Sequence, residues 1–446
     1  MLRPTEAPKN MGIGEDLREL KVRDAIGVTL VALTLAVSTF DYFIRDNEFI
    51  IANFVCLAIA AVIYRRKIQY DANMLFILFL YFAVTVFQFQ LFCTFSLSSL
   101  ISTIMRLVSA YLLVKVVGTN FFRYYYVVVY TFCVTGMILF GLELLIGNSL
   151  QSVLVDLTST VKSPFEGRSM FGDSIFTIRT NANIVIYKFA SLSRLSAFEP
   201  LRNSGPYWEA GVNAGISSIA ILFSMMHGRS IWNYRNILLI INIISTLSTT
   251  GYIACVFLII AYIWDRHQSI KFVVYLVTVL AVFWVAYSRL DHLGLKVTEQ
   301  LDKTEINSSG ELVSNQGKPN RFASALLDLY EFSRHPILGK GTIVETRFAT
   351  GAQGYDYWTM HRNNGITHYL LSYGIIIFLL YFGMLYTGMA RASYAIRGTR
   401  IYGLYGLALM FIIGFSELYF HKPLFYAFAY SFFINYKLHA RVDNVS

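Results

Sequence analysis

Apolar residues run along this chain in twelve long stretches, near 25–44, 49–64, 74–92, 97–117, 122–146, 208–226, 236–246, 252–264, 272–287, 368–387, 401–419 and 423–436. A helix needs about 20 apolar residues to cross about 30 Å of hydrocarbon. Backbone groups in lipid have no water to bond, so each span should be helical. No alternating ten-residue pattern points to a β-barrel. The pattern therefore predicts an all-α, polytopic transmembrane bundle of about twelve spans, read as one membrane domain over 1–446. Two polar segments, 147–207 and 289–367, interrupt it. A bilayer core excludes both, so each should fold at a membrane surface. Within the second, Phe322, Leu326, Leu329 and Phe332 recur at helical spacing with polar residues between them. That spacing predicts an amphipathic helix able to lie on the membrane face. His335-Pro336 should stop it, and Gly339-Lys340-Gly341 should turn the chain.

One stretch is ambiguous. Residues 236–264 read either as one tilted helix or as two short helices meeting at Ser248-Thr249-Thr250-Gly251. Charge decides for two. With the N-terminus inside, Arg65, Arg66, Lys67, Lys115, Arg123, Arg229, Arg235, Arg266, Lys271, Arg391, Arg397, Arg400, Lys437 and Arg441 all fall on the cytoplasmic side, as the positive-inside rule requires. A single helix would put the later clusters outside. Both termini are then expected in the cytoplasm of a bacterial inner membrane, and both polar segments in the periplasm.

Composition changes this picture little. The chain is 56% hydrophobic and 14% charged, with a mean hydropathy of +0.52. Its net charge of +10 reads as cytoplasmic flanking charge rather than as a nucleic-acid surface. Cys56, Cys93, Cys133 and Cys255 lie in or beside apolar runs without metal-ligand spacing and read as packing residues. The first 24 residues mix both charge signs and lack a cleavage signature, so no signal peptide is expected. No internal repeat suggests the inverted halves of a transporter.

Candidate chemistry gathers in the polar segments. Arg202-Asn203-Ser204-Gly205-Pro206-Tyr207-Trp208-Glu209 joins a guanidinium, a Gly-Pro turn, two aromatics and a carboxylate at the mouth of a span. Arg202 suits bidentate phosphate binding. It could also meet Glu209 across the turn, while Tyr207 and Trp208 could stack on a sugar. The same residues would equally form an interfacial aromatic belt. His361 and His368 could act as bases near neutral pH. An isolated histidine is more often a hydrogen-bonded structural residue. Arg106 sits mid-span, where a charge is costly. It could anchor a diphosphate or pair with Glu143. Asp41 and Glu417, near span ends, read as solvent-contacting. No zincin, nucleophile elbow, GxGxxG loop or P-loop is present. Every inner loop is short, so there is no cytosolic nucleotide-sugar domain.

Four motifs in order carry a resemblance. They are Arg202-x-Ser-Gly-x-Tyr-Trp-Glu209-Ala-Gly, Leu247-Ser248-x-x-Gly251, Arg321…Asp328…His335-Pro336-Ile-Leu-Gly339-x-Gly341, and Asn364-Gly365…Gly374-Ile375. From Arg202 to Ile376 the chain resembles the bacterial O-antigen polymerase and O-antigen ligase superfamily. The resemblance implies a GT-C-like membrane glycosyltransferase that uses undecaprenyl-diphosphate glycans at the periplasmic face, without nucleotide or metal. Its expected partners are that lipid-linked glycan, membrane lipids and a polysaccharide chain-length regulator, with no nucleic acid. Two departures stand out. Thr249 replaces an arginine common in the family, and Asn363-Asn364 replaces the His-Asn of ligases. The second departure favours a polymerase over a ligase, with a lipid-linked oligosaccharide flippase as a further alternative. In this reading Arg202 and Arg321 hold the donor diphosphate, and His361 or Glu209 is the base. Tyr207, Trp208, His368 and Arg106 contribute to substrate binding.

Overall fold

The computed structural model describes residues 22–43, 47–64, 71–147, 149, 185–189, 200–266, 321–343 and 362–436. The expected span at 272–287, the basic run at 65–67 and His361 lie outside the described residues. Among them the fold is all-helical, with no strand beyond one isolated bridge between Phe40 and Tyr207. The helices are α1 (Val22–Thr39), α2 (Asn47–Ile63), α3 (Ala72–Leu91), α4 (Leu97–Val117), α5 (Phe121–Ile146), α6 (Ala210–Met226), α7 (Tyr234–Ser245), α8 (Thr249–Arg266), α9 (Arg321–Arg334), α10 (Gly365–Arg397), α11 (Ile401–Gly414) and α12 (Pro423–Tyr430).

Four helical stretches are long and apolar enough to cross a membrane: Ala72–Leu91, Leu97–Ile146, Thr249–Arg266 and Gly365–Arg397. The others are shorter than the sequence pattern suggests. At about 1.5 Å per residue, the 12 residues of α7 rise about 18 Å, and the 14 of α11 about 21 Å. Both fall short of about 30 Å of hydrocarbon. Helices α7 and α11 end, and the longer α8 and α10 begin, around the same polar cluster.

The stretch 236–264 is two helices, as charge requires. Leu247 turns the chain between α7 and α8 with a φ of 49°. Ser230, just before α7, bonds Tyr262 near the end of α8 at 2.9 Å, so the two helices run antiparallel. One end of the bundle is then defined by cross-links. Arg397 of α10 binds Asp265 of α8 at 2.7 Å and the Met225 carbonyl of α6 at 3.3 Å. Lys115 of α4 pairs with Asp71 at 2.7 Å and donates to the Phe433 carbonyl at 3.1 Å. Arg391 reaches the Phe432 carbonyl and joins the two groups. At the other end, the backbone of Asp41 donates to the Pro206 carbonyl and that of Trp208 to Thr39. The Leu424 amide donates to Ser38 Oγ at 3.0 Å. Between the two ends lies an aromatic core in which Tyr125, Phe223 and Phe428 meet edge to face.

Helix α10 is broken, and the break is filled. Gly374 inside it has φ 76° and ψ 175°. The freed backbone groups are taken by the turn after α9: Lys340 N donates to the Leu371 carbonyl at 2.7 Å, Gly341 N to Ser372 at 3.1 Å, and Ile375 N to the Pro336 carbonyl at 2.9 Å. Gln88 Nε2 of α3 caps the Ser372 carbonyl at 2.8 Å. This is how a helix interior tolerates a break in lipid, where unsatisfied amides cost several kcal/mol. A Cβ on Gly374 would stand 1.9 Å from the Ile337 carbonyl oxygen. The turn at 335–341 and the Gly374-Ile375 motif, far apart in sequence, are therefore one interlocking unit.

Candidate functional site

Helix α9 forms where the apolar spacing predicts it. Its stripe faces outward, with Leu326 46% and Leu329 43% exposed, as a helix lying against lipid requires. Its other face docks. Asp328 is fully buried; one oxygen takes Arg362 at 3.3 Å and the other takes the Thr367 hydroxyl at 2.9 Å. Arg362 also bonds Glu331 at 2.9 Å, and Glu331 pairs with buried Lys340 at 3.4 Å. Asn364 caps α10 by accepting from Ile366 and Thr367, both at 3.1 Å. This network fixes the start of α9 against the start of α10, and so fixes Arg321.

Arg321 points at the turn between α11 and α12, where its Nη2 lies 3.6 Å from Glu417 Oε1. Glu417 is buried, contrary to the expectation of a solvent-contacting residue. Gly211 makes room for it, since a Cβ there would stand 2.6 Å from Glu417 Oε1. Burial and the neighbouring Glu209 carboxylate push the Glu417 acid well above the ordinary carboxylate range, against the opposing pull of Arg321. Glu209 and Trp208 are both close enough to influence it. Glu209 itself is exposed at the N-cap of α6.

Arg202 completes the group from the other side. Its Nε donates to the Thr246 carbonyl at 3.1 Å, at the α7–α8 turn. It does not ion-pair with Glu209 across the Gly-Pro turn, although it feels the Glu209, Glu417 and Arg321 charges at longer range. Burial lowers the Arg202 pKa from its usual value. A satisfied amide network holds this loop: Asn203 bonds Asn242 at 3.0 Å, and Asn242 bonds Asn213 at 2.8 Å and Ser217 at 3.0 Å. Ser248, the serine of the helix-break motif, receives the Gly251 amide at 3.3 Å and so caps α8.

The structure thus brings Arg202, Trp208, Glu209 and Arg321 together and adds Glu417. Tyr207 does not join them. It is buried against Phe40, ring centroids 5.5 Å apart, so its ring is core and is not open to a sugar. Arg106 and Glu143 do not pair: Glu143 accepts from Tyr187 at 2.6 Å. The Arg106 charge is instead felt at Lys422 and Tyr373. His368 is half-buried and meets His421 edge to face at 4.7 Å.

Sequence reasoning missed Glu417, Lys422 and Arg362. The first two lie in a short turn between apolar helices, and nothing local distinguishes them from interfacial charges. Arg362 adjoins two motif residues and was legible only as a neighbour. Among the described residues no His, Cys, Asp and Glu group could hold a metal ion.

Two arginines beside a carboxyl pair, next to a lipid-facing helix, suit an anionic headgroup and a proton transfer. Residues 236–382 match the family model described as O-antigen ligase. Over that region the chain is similar to the O-antigen ligase and polymerase superfamily. Its members are membrane glycosyltransferase-like enzymes acting on lipid-linked glycans. The match begins in α7 and ends within α10, about a third of the chain. It contains Ser248, Arg321, Asp328 and His368, whereas Arg202, Glu209 and Glu417 come from outside it. No curated protein and no solved structure matches the chain.

Proposed function

We propose that this protein polymerises undecaprenyl-diphosphate-linked oligosaccharide repeat units into O-antigen or a related surface polysaccharide, at the periplasmic face of a bacterial inner membrane. The observation that carries the reading is the meeting of Arg202, Arg321, Glu209 and Glu417 at one end of the bundle. The basic residues cross-linked at the opposite end support placing that end in the cytoplasm.

The chemistry follows from the residues. An acceptor hydroxyl attacks the anomeric carbon of the donor sugar, a C–O bond forms, and the bond to the lipid diphosphate breaks. Arg202 and Arg321 stabilise negative charge growing on the departing diphosphate. The hydroxyl proton passes to Glu209 or His361. Glu417, beside Glu209, is the proton-bearing member of the carboxyl pair. Trp208 offers an aromatic wall for a sugar ring, and His368 lines the same end. The outward apolar face of α9 lies along the lipid tail.

A ligase reading, transfer to lipid A-core, is favoured by the description of the matching family. The absence of His at position 363 favours the polymerase. A null mutant separates them. A polymerase defect leaves single repeat units on lipid A-core, and a ligase defect leaves long polymer unattached. The absence of any periplasmic repeat unit would instead indicate a flippase. Product formation by purified protein from a lipid-linked repeat unit, without nucleotide, is the direct test.

A further inference from the structure

The two cationic centres at this end differ in one respect. Arg202 and Arg321 have two carboxylates beside them. Arg106 and Lys422 have none. Arg106 stands at the tenth position of α4, in the middle of an apolar helix, and its buried Nε has no hydrogen-bond partner. Neither residue forms an ion pair among the described residues. Lys422, at the N-cap of α12, has its ammonium 5.8 Å from the centre of the Trp208 ring. A cation–π contact offsets only part of the cost of holding a cation there, about 0.5–2 kcal/mol. Burial and the Arg106 charge bring the Lys422 ammonium down to about 7. Two half-buried cations repelling each other without a counter-ion are costly unless an anion joins them.

We propose that Arg106 and Lys422 form a phosphate-binding subsite of their own, for the headgroup phosphate of a polyprenyl-linked ligand. The Trp208 ring neighbours both centres, since it lies 5.8 Å from the Lys422 ammonium and is near enough to Glu417 to influence it. A lipid headgroup fits better than a free anion because the helix pair that carries Arg106 has an apolar outer face. Ile101 on α4 and Phe87, Leu91 and Phe95 on α3 and its link are 47–74% exposed, a surface along which a lipid tail would lie. The inference deepens the proposed function, because an enzyme joining two lipid-linked glycans must hold more than one lipid phosphate.

The test is binding of a polyprenyl diphosphate to the purified full-length protein in detergent, compared with inorganic diphosphate. Arg106→Gln and Lys422→Met should each weaken the lipid ligand about tenfold, and Lys422→Arg should restore it. Should Arg106→Gln fail to fold, the Lys422 pair of variants carries the comparison. Wild-type affinity in Lys422→Met overturns the subsite, whatever Arg202→Ala and Arg321→Ala do. Equal affinity for inorganic diphosphate overturns its assignment to a lipid headgroup. If only Arg202→Ala and Arg321→Ala keep full lipid binding, the subsite stands and the donor assignment in the proposed function falls.

Discussion

The two ends of this bundle are built from the same residue types and do opposite things with them. At one end Arg397, Asp265 and Tyr402 close a triangle of bonds, with Asp265 at 2.7 Å from the arginine and 3.1 Å from the tyrosine. Lys115, Asp71 and Tyr111 repeat the pattern. These charges hold helices together. At the other end Arg321 stands 3.6 Å from Glu417 Oε1, an oxygen with no hydrogen bond, and Arg106 Nε has no partner. A buried polar group left unsatisfied costs stability. Leaving two at one end makes sense where a ligand completes them.

The largest expected effects test this contrast directly. Arg202→Ala and Arg321→Ala should each abolish polymer in cells while leaving protein levels intact. Arg397→Ala should do the reverse: less protein in the membrane, with activity per molecule retained. Polysaccharide gels beside immunoblots of the same membranes separate the two classes. If Arg321→Ala lowers protein amount as much as Arg397→Ala does, the two ends are alike and the site assignment fails.

Next is the carboxyl pair. Glu209→Gln should lower the transfer rate by about 10²–10⁴, the usual contribution of a general base. Glu417→Gln should stay within a few-fold of wild type, since an amide replaces an acid that already carries its proton. The pH dependence has a definite sign. The pKa of Glu417 is raised in the folded state, so its contribution to stability is fully present below the ordinary carboxylate value of 4.5 and is lost as pH rises through the folded value. Glu417→Gln should therefore flatten the decline of melting temperature above that pH. An unchanged profile would mean that Glu417 is ionised.

How much of this could be read beforehand depends on the physical signal. The α7–α8 hairpin was legible because basic residues mark helix ends, and a single helix would have placed them wrongly. Helix α9 was legible from its four apolar positions. Tyr207 was misread because an aromatic at a helix mouth has the same local sequence whether it faces a sugar or packs on Phe40. Glu417 and Lys422 were illegible as site residues because their partners lie hundreds of residues away or on other helices. The shortness of α7 and α11 was hidden as well, since hydropathy does not show where a helix unwinds into a polar cluster.

A smaller effect should follow from loosening α9 without touching its arginine. Removing one partner of a buried pair typically costs about 3–5 kcal/mol. Asp328 is fully buried between Arg362 and Thr367. Asp328→Asn keeps the shape and one acceptor, so it should lie at or below the lower end of that range. Polymer yield should fall with stability, because Arg321 loses its support. Arg362→Met should behave alike, and the double variant should cost less than the sum, as expected for groups in one network. Additive losses in thermal unfolding would show that the two act separately.

The smallest effect concerns Asn364, which belongs by position to the Arg321 end and by bonding to the structural class. Its Oδ1 accepts two amides of the first turn of α10. Ser caps as well as Asn, whereas Ala loses about 1 kcal/mol, within a range of roughly 0.5–2. Asn364→Ser should therefore melt with the wild type and make polymer normally, and Asn364→Ala should melt a few degrees lower. Loss of polymer in Asn364→Ser at unchanged stability would place Asn364 in the chemistry. Position at that end, rather than unsatisfied charge, would then mark the residues that function.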